Sequence, residues 1–234
     1  MIDLNEIKRC LNICKNTYLP LPENWKKVKG WCDLKLDYNG FKVHHRHTVN
    51  NVIYEIYELN DVLYIAFKGT DDLQDWSYNL DYELKKLTIP YDNKNSKIKV
   101  HTGFLKIYKM VRENIHNKIG TFKNIVVSGF SMGGAIAVLC SIDLQYNFNA
   151  NIKCITFGSP RVGNKEFINS YNKRVEAVKI INKSDPIAKL PTRFMGYRNI
   201  TEVIYNRNWI ENILWNLPII KFIPVWDHNL PTYL

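Results

Sequence analysis

Long apolar runs are absent from this sequence of 234 residues. None reaches the roughly 18 residues that a membrane-spanning helix needs, so no transmembrane segment is predicted. The first residues, Met1-Ile2-Asp3-Leu4-Asn5-Glu6, also lack the basic-then-apolar layout of a secretory leader. The chain is therefore expected in the cytoplasm or at the periphery of membranes, and export by a route without a signal peptide remains open.

Cysteine is sparse and follows no metal-ligand spacing. The five cysteines, an odd number, are Cys10, Cys14, Cys32, Cys140 and Cys154. This pattern predicts free thiols in a reducing compartment rather than a disulfide framework or a zinc site. Cys140 and Cys154 fall in a predicted helix and a predicted strand, where they are expected to act as small core residues.

The histidines do not form an evident metal site either. Three of the six histidines stand in the cluster His44-His45-Arg46-His47. No cysteine or carboxylate lies at ligand spacing beside them, so an exposed polar loop or an edge strand is the preferred interpretation of this cluster. No metal site is predicted.

Positive charge is in excess, yet it is not concentrated. Lysine and arginine outnumber aspartate and glutamate by 32 to 22, a formal net charge of +10. The basic residues are scattered in short pairs such as Lys26-Lys27 and Lys85-Lys86, and no nucleic-acid motif accompanies them. Nucleic acid is therefore not an expected partner. A solvated basic surface is the simpler interpretation, and attraction to an anionic lipid surface is the alternative.

The hydrophobic pattern predicts one α/β domain over residues 1–234. Hydrophobic residues make up 46% of the chain, enough for a sizeable core. An amphipathic helix is predicted at about 3–18, and the strands Val52 to Leu59 and Val62 to Phe67 are joined by the tight turn Asn60-Asp61. Farther along, strands at about 123–128, 152–157 and 176–181 alternate with helices. This alternation indicates a mostly parallel central sheet with helices on both faces and a ligand site at the carboxyl ends of the strands.

One stretch in this pattern has the form of a nucleophile elbow. The apolar strand Ile125 to Val127 leads into Gly129-Phe130-Ser131-Met132-Gly133 and then into an Ala-rich helical run. Glycines on both sides of the serine allow a tight turn in a strained conformation, and the serine hydroxyl then projects from the strand-to-helix junction. The N–H of Met132 would point toward a developing negative charge. Ser131 is thus the predicted nucleophile.

A serine hydroxyl needs a neighbouring base, and the base needs an orienting carboxylate. In a sheet of this kind the chain order is serine, acid, histidine. His228 is the only histidine that follows Ser131. Among the acids between them, Asp143 belongs to the elbow's own helix, and Asp227 adjoins the histidine in sequence. Asp185 follows a predicted strand and is therefore the predicted acid, while capping of a turn before the next proline is its alternative role.

At this point the motifs resemble those of the class 3 lipases, the fungal-lipase-like branch of the α/β-hydrolases. The resemblance runs from about residue 50 to 230, with all motifs in order. The motifs are Phe67-Lys68-Gly69-Thr70, Asp75-Trp76, His101-Thr102-Gly103-Phe104, Gly129-Phe130-Ser131-Met132-Gly133-Gly134-Ala135, Thr156-Phe157-Gly158-Ser159-Pro160-Arg161-Val162-Gly163-Asn164, Asp185-Pro186, Leu190-Pro191 and Asp227-His228.

The resemblance implies a catalytic role for five residues. Ser131 would be the nucleophile, Asp185 the acid and His228 the base, while Thr70 and Met132 would form the oxyanion hole. The segment after Thr70 would act as a lid. Three positions in these motifs differ from the family's usual residues: Lys68 replaces arginine, Phe130 replaces histidine and Met132 replaces leucine.

The family cleaves carboxylic esters, among them tri-, di- and monoacylglycerols, phospholipid sn-1 esters, galactolipids and feruloyl esters. The expected function is therefore that of an acylglycerol lipase, with no metal or organic cofactor. Phospholipase A1 and a non-lipid esterase are the alternatives, and a catalytically silent scaffold that binds lipid or protein is a further one. The apolar segment from Trp209 to Trp226 is expected to line the acyl pocket or to pack in the core. Together with the positive charge, it favours adsorption to an anionic membrane or a lipid droplet.

Overall fold

The computed structural model describes residues 2–19, 40–49, 52–70, 83–86, 97–182 and 185–205. Within these ranges the strands are β1 (Lys42–Val49), β2 (Val52–Leu59), β3 (Val62–Phe67), β4 (Leu84–Lys86), β5 (Lys99–His101), β6 (Asn124–Phe130), β7 (Asn151–Phe157), β8 (Gly163–Asn164), β9 (Glu176–Asn182), β10 (Tyr197–Arg198) and β11 (Glu202–Tyr205). The helices are α1 (Leu4–Asn16), α2 (Thr102–Ile119), α3 (Met132–Asn147) and α4 (Lys165–Tyr171), with short 3₁₀ turns at Ile187–Lys189 and Arg193–Met195.

The central sheet has the strand order β1-β2-β3-β6-β7-β9-β11. Strands β1 to β3 are antiparallel neighbours, whereas β3, β6, β7, β9 and β11 run parallel. The predicted mostly parallel sheet is confirmed. The parallel strands end together at one side of the sheet, here called the carboxyl edge. Their starting ends form the amino edge.

A tight hairpin turn sets the register of the antiparallel half. Asn60 and Asp61 both have positive φ, at 50° and 60°, as the favoured two-residue hairpin turn requires. Leu59 pairs with Val62 across the turn, and Tyr54 pairs with Phe67 at the far end. The hairpin predicted from sequence is confirmed.

Both faces of the sheet are covered, because alternate residues of each strand point to opposite sides. Leu63 and Ile65 on β3 belong to the larger core cluster, which includes side chains of α2 and α3. Tyr64 and Ala66 point the other way, into the cluster formed with α1. Helix α3 is buried from Gly133 to Leu144 without a break, since it packs against the sheet and against α2.

Helix α1 covers the second face of the sheet and begins at the amino edge. The predicted amphipathic helix is confirmed: Leu11 and Cys14 of the expected apolar stripe are buried, although Leu4, its first member, is 48% exposed. Glu6 forms an ion pair of 2.9 Å with Lys153 on β7. The N–H of Ile2 donates to Glu176, the first residue of β9.

A small second sheet was not predicted. Its strand order is β10-β8-β5-β4, and its strands have only two or three residues each, too short for a periodic pattern in the sequence. It lies at the carboxyl edge, because β5 leads directly into the first residue of α2, and α2 runs back to the start of β6 at the amino edge. Among the helices in the described ranges, none is long and apolar enough to span a bilayer.

Candidate active site

Ser131 lies at a sharp turn between β6 and α3. Its φ of 56° and ψ of −128° place it in a region that residues with a Cβ atom rarely adopt. Backbone hydrogen bonds hold this conformation: the N–H of Ser131 donates to the carbonyl of Phe157 at 2.9 Å, and its carbonyl accepts from Gly134 at 2.9 Å. The predicted elbow is confirmed as a backbone feature.

Two glycines make this turn sterically feasible. A Cβ atom on Gly129 would lie 2.3 Å from the carbonyl oxygen of Gly133. One on Gly133 would lie 2.4 Å from the carbonyl oxygen of Phe67, at the end of β3. The elbow therefore closes tightly on itself, as its glycine spacing predicted, and it also packs against the neighbouring strand.

One predicted oxyanion donor belongs to the elbow, and the other follows the neighbouring strand β3. Thr70 follows β3 at the carboxyl edge, and Met132 is the first residue of α3; both are half-buried. The preceding Gly69 approaches Ser131 closely, since a Cβ atom on Gly69 would lie 3.1 Å from the Cβ atom of Ser131. This arrangement is compatible with N–H donors converging on a reacting carbonyl, and the oxyanion role of both residues stays a prediction.

Tyr18 supports this loop from the other face of the sheet. Its hydroxyl accepts a hydrogen bond of 2.9 Å from the N–H of Gly69. Lys68 lies above its ring, with Nζ 5.2 Å from the centroid, and Phe130 packs edge-on at 6.3 Å. Sequence reasoning missed Tyr18, because no local pattern signals a contact between residues 51 positions apart.

Asp185 lies just beyond the carboxyl end of β9 and is completely buried. Its Oδ1 accepts from the N–H of Ile187 at 2.8 Å and of Ala188 at 3.2 Å. These bonds cap the turn, which was the alternative role for this residue. Strand β7 separates β6 from β9, so the two strands are roughly 10 Å apart. A histidine side chain can bridge such a separation, and capping is compatible with the triad role.

Two buried cations hold the loop that carries Asp185. The guanidinium of Arg161 donates to the carbonyls of Lys189 and Pro191, and its backbone N–H donates to Leu190 at 2.7 Å. On β9, Nζ of Lys179 donates to the carbonyl of Ala188 at 3.1 Å and to Oδ1 of Asn199 at 2.9 Å. The resemblance included Arg161 without a role, and nothing in the sequence marked Lys179.

Asp143, which was not the predicted triad acid, lies in a separate hydrogen-bond network. Asp143 on α3 is completely buried and accepts hydrogen bonds from Tyr108, Arg112 and His116 at 2.5 to 3.1 Å. Burial raises the pKa of this carboxyl, but the hydrogen bonds from His116, Arg112 and Tyr108 outweigh it, so the pKa is below its ordinary value. The network joins α3 to α2.

The cysteines in the described ranges are buried, and His101 has a structural role. Burial raises the pKa of Cys14 to about 12 and that of Cys154 to about 11, which leaves these thiols protonated and unreactive. His101 caps α2, because its Nδ1 accepts from the N–H of Gly103 at 3.0 Å. The cluster His44 to His47 belongs to edge strand β1.

Several predicted features lie outside the described residues. They are the base His228, the lid segment at 71–82, the apolar segment from Trp209 to Trp226, and Cys32. Their predicted roles stay predictions.

A mostly parallel sheet with a serine at a strained strand-to-helix turn is the architecture of the α/β-hydrolases. The family can be stated as well. The sequence model of the family Lipase (class 3) matches residues 64–195, more than half of the chain. The protein belongs to this family, which confirms the resemblance of its motifs.

Named relatives and a solved structure agree with this assignment. A secreted mono- and diacylglycerol lipase 1 of Fusarium solani is 30% identical over 143 residues, which cover 58% of this chain and 41% of the relative. The chloroplastic/mitochondrial phospholipase A1 EG1 of Oryza sativa subsp. indica is 28% identical over 207 residues, covering 74% of this chain and 47% of the relative. The chain thus spans less than half of either relative. A solved triacylglycerol lipase with a serine protease triad superposes with a TM-score of 0.74 at 22% identity, covering 96% of this chain and 92% of that one.

Proposed function

We propose that this chain is a serine hydrolase that cleaves carboxylic esters of lipids, in the manner of an acylglycerol lipase. The observation that carries the proposal is the strained backbone of Ser131 with Gly69 packed against it at the carboxyl edge. A structural serine has no need of this conformation, whereas in a nucleophile it directs the hydroxyl out of the strand-to-helix junction, toward a substrate carbonyl.

In the proposed mechanism His228 removes the hydroxyl proton of Ser131 while the serine oxygen attacks the ester carbonyl carbon. The electron pair of the C=O bond moves to oxygen, and the N–H groups of Thr70 and Met132 stabilise this oxyanion. When the C=O bond re-forms, the alcohol leaves and takes the proton from His228. Asp185 orients the imidazole and stabilises its charged form.

The second half of the cycle repeats these steps with water. His228 deprotonates a water molecule, which attacks the acyl-enzyme, and the proton returns to Ser131 as the fatty acid leaves. The reaction requires no metal or organic cofactor.

Phospholipase A1 activity is the second candidate, because one relative has that name. Both reactions attack a glycerol ester with the same machinery, so the pocket and not the catalytic residues decides between them. A panel of triacylglycerol, diacylglycerol, monoacylglycerol and phospholipid substrates would separate the two candidates by fatty-acid release.

The serine mechanism is tested by Ser131→Ala against Ser141→Ala. Ser141 is a buried serine of α3, the helix that follows Ser131, and its hydroxyl bonds to Tyr171 at 2.8 Å, so its loss controls for a missing buried hydroxyl. Fatty-acid release should vanish in the first variant and persist in the second. Release that survives in Ser131→Ala would reject Ser131 as the nucleophile.

If no substrate of the panel is cleaved, labelling with a fluorophosphonate probe decides the next step. Labelling that depends on Ser131 would indicate an esterase for non-lipid substrates. Absence of labelling would instead favour a scaffold without catalytic activity.

A further inference from the structure

Two neighbouring apolar side chains are exposed on the turn Arg193–Met195. Phe194 is 102% exposed and Met195 is 44% exposed. The other large apolar side chains with comparable exposure in the described ranges, Leu4, Met110 and Tyr146, stand singly on separate elements. Full exposure of a phenylalanine forgoes the free energy of burying it, and adjacent exposed apolar residues mark an interaction site more often than single ones do.

The turn lies at the same side of the molecule as Ser131. It follows the Asp185 loop beyond the end of β9 and leads into β10, which pairs with β8 of the small sheet. Behind the turn, a Cβ atom on Gly196 would lie 3.2 Å from Leu84 on β4, and Leu84 pairs with His101 at the start of α2. Because the small sheet lies at the carboxyl edge, the turn with its exposed Phe194 lies at that edge as well.

The surroundings of the apolar tip are basic. Arg193 and Lys189 are both exposed, and Arg198 binds the carbonyls of Arg193 and Tyr197 at 3.0 and 2.7 Å. The acid of this loop, Asp185, is completely buried beneath it. An apolar tip with exposed cations beside it is complementary to an anionic lipid surface, where the tip enters the acyl layer and the cations meet the head groups.

Hydrogen bonds within the turn hold its backbone. Gly196 ends it in the left-handed conformation, with φ of 87°, and its N–H donates to the carbonyl of Arg193 at 3.0 Å. The bonds from Arg198 fix the same carbonyl. A turn that already has its bound conformation loses little conformational entropy when it binds.

We propose that the turn Arg193–Met195 inserts Phe194 and Met195 into an anionic lipid surface and thereby turns the carboxyl edge, with Ser131, toward the lipid. This inference rests on the proposed function, since it assigns to that site a substrate presented at an interface. Loss of the Phe194 ring should weaken partitioning roughly tenfold. Each cation beside the tip should contribute about fivefold on an anionic surface and little on a neutral one.

The test measures cosedimentation of the full chain with vesicles of phosphatidylcholine alone and of phosphatidylcholine mixed with phosphatidylglycerol. The variants are Phe194→Ser and the pair Lys189→Gln and Arg193→Gln. Leu4→Ser is the matched control, because Leu4 is 48% exposed and begins α1 at the amino edge. Hydrolysis of a dissolved short-chain ester by each variant reports on the active site without a lipid surface.

We expect Phe194→Ser to lose about tenfold in vesicle binding and to keep its activity on the dissolved ester. The double variant should lose binding only to the anionic vesicles, and Leu4→Ser should bind like the wild type. Equal vesicle binding by Phe194→Ser and wild type would overturn the inference. This conclusion would hold even if Phe194 were then found to mediate self-association. Because binding is measured without turnover, an inactive wild type would reject the proposed function and leave this result readable.

Discussion

Tyr18 contacts the loop that carries a predicted oxyanion donor. Its hydroxyl accepts from the N–H of Gly69, one residue before the predicted oxyanion donor Thr70. A methyl group on Gly69 would lie 2.5 Å from the Tyr18 hydroxyl and 2.7 Å from the carbonyl oxygen of Phe130, so the loop is tightly packed at this point. A small shift of this loop therefore changes the direction of the Thr70 N–H relative to the developing oxyanion.

We expect Tyr18→Phe to lower kcat about tenfold and to leave KM nearly unchanged, because a misdirected donor weakens binding of the transition state and not of the substrate. Steady-state hydrolysis of a dissolved ester measures both constants. The variant should also lose about 1–3 kcal/mol of unfolding free energy, since the N–H of Gly69 loses its buried acceptor.

The matched control for this substitution is Tyr171→Phe. Tyr171 is equally buried, and its hydroxyl bonds to Ser141 in α3, away from the carboxyl edge. This variant should lose a similar amount of stability and no activity. If the two variants lose kcat to the same degree, the effect of Tyr18 is one of general stability, and its positioning role is rejected.

At the scale of elements, the loop after β9 is held from below by cations. Lys179 and Arg161 donate to carbonyls of residues 188, 189 and 191, and the loop in turn presents Asp185. Without these two side chains, the carbonyl groups that turn inward at this loop would lack hydrogen-bond donors. A buried carbonyl without a donor is unfavourable. We therefore expect the orientation of the predicted acid to depend on a lysine in the strand that leads into the loop.

We expect Lys179→Met to displace the Asp185 carboxylate from the predicted base. A carboxylate beside an imidazole favours its charged form and raises its pKa, so a displaced carboxylate lowers that pKa. The acid limb of the kcat/KM profile should therefore move to lower pH, with kcat reduced about tenfold or more. The profile of ester hydrolysis against pH measures both effects.

Lys153→Met on β7 is the control for this experiment. Lys153 pairs with Glu6 at the amino edge, so its loss removes a lysine from the sheet without touching the acid loop. Its pH profile should match that of the wild type. An unshifted profile in Lys179→Met, with only a lower melting temperature, would mean that the loop keeps its geometry without the lysine.

The sequence predicted the elements that have a local pattern, either periodic hydrophobicity or a short motif. It missed the features that depend on contacts between distant residues. The hairpin at Asn60-Asp61 and the elbow at Ser131 have local chemical signatures, and the structure confirms both. The small sheet has strands too short for any periodicity. Tyr18 and Lys179 act through contacts that only the folded chain creates, so no spacing rule could find them.

At the scale of the whole molecule, α2 and α3 are joined by a charge network that makes the unfolding free energy depend on pH. Asp143 accepts hydrogen bonds from residues of α2 and also from Asn147 at 2.7 Å. Its lowered pKa means that folding favours the carboxylate form. The resulting stability is present above the pKa of the unfolded chain, about 3.9, and is lost as the pH falls through the lower pKa of the folded state.

We expect Asp143→Asn to reduce the unfolding free energy at neutral pH by about 3 kcal/mol, because Arg112 then lacks the buried carboxylate that it binds in two places. Urea unfolding followed by circular dichroism gives this value. The control is Glu113→Gln, which removes an exposed carboxylate of α2, next to Arg112. It should change the unfolding free energy by less than about 0.5 kcal/mol.

The dependence of this difference on pH separates the effect of Asp143 from that of Glu55, a buried acid on β2. Burial raises the pKa of Glu55, and the pairing with Arg46 offsets only part of this. Its contribution therefore has the opposite sign, and stability rises as the pH falls through its pKa. Since Glu55 is present in both proteins, its effect cancels between wild type and Asp143→Asn. The difference in stability should shrink below about pH 4, and a difference that stays constant down to pH 2 would show that the network acts through packing and not through charge.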